Sequence, residues 1–290
     1  MSRIKRLAAI HDLSGFGSLS LTAAIPVLST MGVHVCPLPT AVLSSHTQYP
    51  GFTFLDLTDE MNKIIGHWEK LSASFDAIYS GYLGSPQQTA IVSDFIDRFR
   101  RKDTLVVVDP VLGDNGRLYA TMTQAMVDNM RELAKKADVL TPNLTEAFAL
   151  LGRPYKPSVS LEELADMTRD LARLGPKTVV ITSATPTGPE STTSVFARDT
   201  VHDAVWFVEC PYLPAHFPGT GDTFTSVVTG SLMRGETLPV ALERATQFIL
   251  CGIRRAIDDG QTDFLEGIPL EAILDTLSQP TQATARKLAL

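Results

Sequence analysis

An α/β fold, with a mostly parallel sheet covered by helices on both faces, is predicted by three features of this chain. Short apolar runs alternate with helix-length segments from one end to the other. Runs such as Leu7–Ile10 and Leu105–Val108 are apolar without alternation, as in strands buried on both faces. Residues 192–209 break the pattern with two strand-like runs in succession, which marks an antiparallel hairpin at the sheet edge.

The elements follow in order. Arg6-Leu7-Ala8-Ala9-Ile10 reads as the first strand, and Leu21, Ala24, Ile25 and Leu28 then repeat at helical spacing. Val33-His34-Val35 opens the second strand. Residues 44–58 come next as a long loop carrying Tyr49, Phe52 and Phe54, a candidate flap over a bound ligand. Residues 75–79 and 105–108 are further strands on either side of a helix around 88–100. Val139-Leu140 and Thr178-Val179-Val180-Ile181 continue the alternation, and residues 194–197 with 204–208 form the hairpin. Helical patterns around 224–233 and 240–257 close the ordered part, and the last dozen residues, QPTQATARKLAL, read as a loosely held tail. Neither a repeat nor a linker divides the chain, so residues 1–290 are expected to form a single domain.

Composition narrows the function. With 290 residues, 44% of them hydrophobic, the chain can bury one large core. A net charge of −7 argues against nucleic acid and membrane surfaces as partners, since both select a basic face. No apolar run is long enough to span a bilayer. The start, MSRIKRLAAIHDLSG, turns polar at His11-Asp12 without a small-residue cleavage site and is read as a strand, not a secretory leader. Cys36, Cys210 and Cys251 are scattered and odd in number, which points to reduced thiols in a cytoplasmic protein. Cys36, together with Met122 and Met126, is expected to serve packing, and His34, His67 and His202 have no partner in spacing.

In an open parallel sheet, ligands gather at the carboxyl ends of the strands. Asp12, Thr40, Tyr82, Asp109, Thr141 and Thr182 all stand at or just past the end of a predicted strand. Familiar nucleotide signatures are missing: there is no Gly-Lys dipeptide for a P-loop, and Gly15-Phe16-Gly17 lacks the third glycine of a dinucleotide fingerprint, Ser20 standing there. Three local motifs remain. In Pro218-Gly219-Thr220-Gly221-Asp222 the glycines let backbone N–H groups turn toward an anion at a helix start, beside a carboxylate that is either a cap or a base. Asp109-Pro110-Val111-Leu112-Gly113-Asp114 closes a buried strand, either as a plain turn or as a ligand loop. Thr141-Pro142-Asn143-Leu144-Thr145-Glu146 places Asn143 and Glu146 as a capping box, a role compatible with Glu146 also holding a metal-bound water.

Together and in this order, these motifs resemble the ribokinase-like small-molecule kinases, and among them the pyridoxal (vitamin B6) kinases. The resemblance runs from Ile10 to about Ile257 and includes Ser45-His46-Thr47-Gln48-Tyr49, Ser80-Gly81-Tyr82-Leu83-Gly84-Ser85 and the run from Asp109 to Tyr119. It implies a ribokinase-like three-layer α/β/α fold, ATP with Mg²⁺, and phosphorylation of the 5′-hydroxymethyl group of a B6 vitamer by a cytoplasmic homodimer. By the same resemblance Asp222 is the general base, and Gly219, Thr220 and Gly221 form the anion nest. Asp12, His46, Thr47 and Tyr82 line the vitamin pocket. Asp109, Thr141, Asn143, Glu146 and Thr182 serve ATP, with Asp109 and Glu146 on the metal side.

Two positions depart from the family pattern. Asp12 stands where Ser is common, and no Lys follows Thr182-Ser183. Hydroxymethylpyrimidine kinases share the fold and many of these motifs, but many carry Cys at the position of Asp222. They form the enzymatic alternative, and a non-catalytic ligand sensor is the alternative of another class.

Overall fold

The computed structural model describes residues 3–184, 192–213, 216–261 and 263–289. Its strands are β1 (Arg6–Ser14), β2 (His34–Leu43), β3 (Phe54–Asp56), β4 (Ala77–Ser80), β5 (Leu105–Val108), β6 (Gly113–Asp114), β7 (Arg117–Leu118), β8 (Val139–Leu140), β9 (Thr178–Ala184), β10 (Thr192–Asp199), β11 (Ala204–Pro211) and β12 (Arg286–Leu288). The helices are α1 (Ser20–Thr30), α2 (Thr58–Lys70), α3 (Pro86–Phe99), α4 (Gln124–Ala134), α5 (Leu144–Leu151), α6 (Leu161–Ala172), α7 (Thr220–Arg234) and α8 (Leu238–Asp258).

Ten strands form one sheet in the order β12-β11-β10-β9-β8-β5-β4-β1-β2-β3. From β9 to β2 every pairing is parallel, and the pairings outside that block are antiparallel. Side chains alternate between two helical layers. Ala8 and Ile10 of β1 join a core with residues of α2 through α6, whereas Leu7 and Ala9 point to the other face, toward α1 and Met233 of α7. Residues of α7 and α8 complete the cover of that second face. The three-layer ribokinase-like α/β/α architecture is therefore observed, and Met122 and Met126 are core residues as expected.

Local chemistry accounts for the elements. Helix α3 starts with Ser85 accepting the Gln88 N–H and with Pro86 in its first turn, where a missing N–H costs nothing. The β6–β7 hairpin turns on Asn115 and Gly116, both at positive φ (50° and 76°), as a two-residue turn of that hand requires.

Four readings of the sequence need correction. The segment at 44–58 is not loop throughout: Phe54–Asp56 pairs with β2, and Thr58 begins α2. The tail is not loose, because Arg286–Leu288 pairs with β11 and makes the hairpin the second and third strands from that edge. An open row of backbone donors and acceptors on β11 is what the tail satisfies. Asp12, Thr40 and Thr182 lie inside strands, since β1, β2 and β9 run further than their apolar stretches. His202 does have a partner, its Nδ1 lying 2.7 Å from Asp199 Oδ2.

Chain order reverses at β1, which has β2 on one side and β4 on the other. In such sheets the crevice at that reversal, beyond the carboxyl ends, is the natural ligand site.

Candidate active site

Helix α7 brings Asp222 to this crevice. Its N-cap, Gly219, has φ +81° and packs so closely on the loop before α1 that a Cβ there would fall 2.2 Å from Ser18 O. Thr220 donates its hydroxyl to Phe217 O at 3.1 Å, and a Cβ on Gly221 would meet nothing within 4 Å among the described residues. Asp222 thus sits in the first turn of α7, where the unpaired N–H groups and the helix dipole favour a negative charge. A second helix contributes as well. Leu19, the N-cap of α1, has no side-chain acceptor to offer, and the Ser20 N–H donates to Asp222 Oδ2 at 3.0 Å. Two helix N-termini therefore converge on one carboxylate.

Ser20 also joins Asp222 to Asp12. Its hydroxyl donates to Asp12 Oδ1 at 2.6 Å, while Ser14 donates to Oδ2 at 2.8 Å. Ser20 itself has φ +49°, a left-handed conformation uncommon for any residue with a Cβ. Asp12 is buried, and burial raises its carboxyl above the usual range against the pull of the two serine hydroxyls, with the charge on Asp222 adding to the rise.

A second acidic group lies across the sheet ends. Asp109, just past β5, is buried and accepts the Thr225 hydroxyl of α7 at 3.2 Å; the same hydroxyl reaches Thr141 Oγ1 at 3.1 Å. Burial, then the nearby charges of Glu146 and Asp222, holds its carboxyl well above the ordinary value. Glu146 closes the capping box with Asn143, accepting the Asn143 N–H at 2.8 Å and the Leu112 N–H at 3.0 Å. Asn143 caps in return and donates its amide to Gly113 O. Thr182 meets this group through its N–H, which donates to Pro142 O at 2.9 Å.

Burial pushes the Glu146 carboxyl from 4.5 up to about 8, although backbone N–H donors oppose the rise. The folded state then holds a proton that the unfolded state has lost, so stability falls as pH rises between those two values. The melting temperature of the ligand-free protein is expected to drop across that window. Glu146→Gln, which cannot ionise, should lack that part of the drop, so its melting temperature relative to wild type climbs with pH. An offset that stays constant with pH would show that Glu146 does not titrate there.

The other residues expected to border the vitamer have separate surroundings. Tyr82 is half-buried with its hydroxyl 3.1 Å from Thr121 Oγ1. Thr47 is exposed. His46 is buried against Tyr49, with Nε2 2.8 Å from Leu265 O, and Tyr49 donates its hydroxyl to Asp263 Oδ2 at 2.9 Å. Both contacts fasten the flap segment to the chain after α8. Residues that sequence reasoning missed are His11, Ser20, Tyr79 and Thr225. Thr225 alone carried a signal, three residues after Asp222 on one helix.

Among the described residues no group of three or more His, Cys, Asp or Glu forms a metal cage. The oxygen-only donors of Asp109 and Glu146, crowded with Asp222, instead suit a hard cation held through water and substrate phosphates.

Comparison with known proteins bears on the family. The sequence model of the phosphomethylpyrimidine kinase family matches residues 18–265. A pyridoxine/pyridoxal/pyridoxamine kinase of Bordetella bronchiseptica is 30% identical over 91% of this chain and 94% of its own. A provisionally named phosphomethylpyrimidine kinase of Bacteroides thetaiotaomicron, crystallised with pyridoxal, is 58% identical over 99% of this chain and 100% of its own, with a TM-score of 0.95. Pyridoxal kinase of Lactobacillus plantarum is 33% identical over 95% of this chain and 97% of its own, at a TM-score of 0.86. The chain belongs to the phosphomethylpyrimidine kinase family and is related to pyridoxal kinases over nearly its whole length.

Proposed function

We propose that this protein is a pyridoxal kinase, transferring the γ-phosphoryl group of ATP to the 5′-hydroxymethyl oxygen of pyridoxal, pyridoxine or pyridoxamine. The observation that carries the reading is the Asp222 carboxylate at the meeting point of two helix N-termini, beside the open backbone of Gly221. The hydroxyl proton passes to Asp222 as the 5′-oxygen bonds to phosphorus and the bond from phosphorus to the bridging oxygen of ADP breaks. Backbone N–H groups of Gly219, Thr220 and Gly221 face the charge on the transferring group. Positioning and charge stabilisation of this kind make up most of phosphoryl-transfer catalysis.

Asp12, His46, Thr47 and Tyr82 border the vitamer, and Asp109, Thr141, Asn143, Glu146 and Thr182 border the nucleotide. Asp109 and Glu146 would hold Mg²⁺ through water, and the ion would supply neutralising charge at the phosphates. A sensor that never turns over has no use for a base beside an anion nest.

Hydroxymethylpyrimidine phosphorylation is the second reading, favoured by the description of the matched family. The test is a competition assay offering the three vitamers and hydroxymethylpyrimidine with Mg-ATP. Phosphorylated vitamer is the expected main product, and preferential consumption of the pyrimidine would reverse the assignment.

A homodimer accords with the exposed edge strand β3, whose Phe54 and Leu55 lie bare beside Val42 and Phe52. A cytoplasmic setting accords with three cysteines that are all free. No helix among the described residues is long and apolar enough to cross a membrane.

A further inference from the structure

His11 lies in the buried run of β1 and has no exposed surface, and neither of its ring nitrogens has a hydrogen-bond partner among the described residues. Among the described residues one group stands ready to supply it. Asp222 Oδ1, itself buried and unpartnered, lies 3.7 Å from His11 Nδ1. The other carboxylate oxygen is already engaged by the Ser20 N–H at 3.0 Å.

A buried donor or acceptor left alone costs free energy, so these two atoms are each other's natural remedy. Neutral imidazole carries one proton. On Nε2 that proton would be a buried donor with no acceptor in hydrogen-bond reach among the described residues, whereas on Nδ1 it faces a carboxylate oxygen 3.7 Å away. Packing keeps the ring in place. It meets Tyr79 edge-on at 4.3 Å, and the Tyr79 hydroxyl donates to the backbone carbonyl of Asp222 at 3.3 Å. Gly81, directly after β4, leaves room for the imidazole, since a Cβ there would fall 2.2 Å from Nδ1. Neighbouring strands thus present a ring and a hydroxyl to the first turn of α7, one beside the side chain of Asp222 and one on its carbonyl.

Resting on the assignment of Asp222 as the base, we infer that His11 is its positioning residue. It donates from Nδ1 to Oδ1 while Ser20 donates to Oδ2, so the carboxylate plane is fixed and a free lone pair is aimed at the substrate hydroxyl. Separations in ligand-free sites commonly exceed those of the reacting complex, and the 3.7 Å gap closes to a hydrogen bond as substrate binds.

The test compares wild type, His11→Phe, His11→Asn and Asp222→Asn by kcat and by KM for pyridoxal and for ATP. His11→Phe keeps a ring against Tyr79 but no donor, and its kcat should fall about 10- to 100-fold with both KM values little changed. His11→Asn keeps an amide donor near the place of Nδ1 and should recover most of that loss, although it packs worse. Wild-type kcat in His11→Phe, or His11→Asn no better than His11→Phe, overturns the inference. Should His11→Phe fail to fold, nitrogen NMR of the wild-type imidazole decides: a proton on Nδ1 is expected, and one on Nε2 overturns the inference. An active Asp222→Asn removes the base assignment and this inference with it. An inactive Asp222→Asn beside an unimpaired His11→Phe removes this inference alone.

Discussion

Asp222→Asn should lower kcat by at least about 100-fold while binding both substrates nearly as wild type does, the usual scale for a positioned general base. Asn has the same shape, and its amide oxygen can still accept the Ser20 N–H that now reaches Oδ2 at 3.0 Å. What it cannot do is take a proton from the substrate hydroxyl. Losing the charge also weakens the interaction with the positive ends of α7 and α1, an effect of about 1 kcal/mol that leaves the fold standing. Steady-state kinetics with pyridoxal and Mg-ATP, read alongside a thermal melt, separates the two roles. If kcat stays within a few-fold of wild type while the melting temperature falls, Asp222 is a helix cap and nothing more.

The motifs that made this site legible in the sequence are local devices. Gly219 and Gly221 mark a helix start, as do Asn143 and Glu146, and Asp109 marks a strand end. Each of these depends on residues a few positions apart, and each is found where the sequence placed it. The central strands were legible for the same reason, because a parallel strand buried on both faces is written as an unbroken apolar run.

What stayed hidden depends on distant partners. Ser20 reaches Asp222 across 202 positions and Thr225 reaches Asp109 across 116, and no spacing rule links such pairs. His11 was overshadowed by its neighbour Asp12, yet it is the His11 Nδ1 that lies 3.7 Å from Asp222 Oδ1, in a strand whose register shifts between His11 and Leu13. Strand β12 was misread because Arg-Lys-Leu has no strand signature of its own; it is a strand only because β11 offers it an edge.

Gly219→Ala and Gly221→Ala should separate folding from chemistry within one tripeptide. At Gly219 the backbone is left-handed (φ +81°), and an added Cβ would lie 2.2 Å from Ser18 O and 2.7 Å from Leu19 Cβ. The conformation alone costs about 1–2 kcal/mol. The overlap must be relieved by moving α7 away from α1, which would also pull Asp222 from Ser20. Gly219→Ala is therefore expected to lower the melting temperature sharply and to abolish activity. Gly221 presents the opposite case. Its φ is not positive, and a Cβ would find open space. Alanine in a helical turn is favoured over glycine by up to about 1 kcal/mol, so Gly221→Ala should melt at or above the wild-type temperature. Among the described residues the methyl group would obstruct nothing, which leaves a ligand drawn close to the backbone N–H groups as what it can block. If those groups hold the transferring phosphoryl group, kcat should drop by about 100-fold, the scale for disturbing one donor of an oxyanion-type site. A Gly221→Ala protein with wild-type turnover would show that the first turn of α7 does not carry the phosphate.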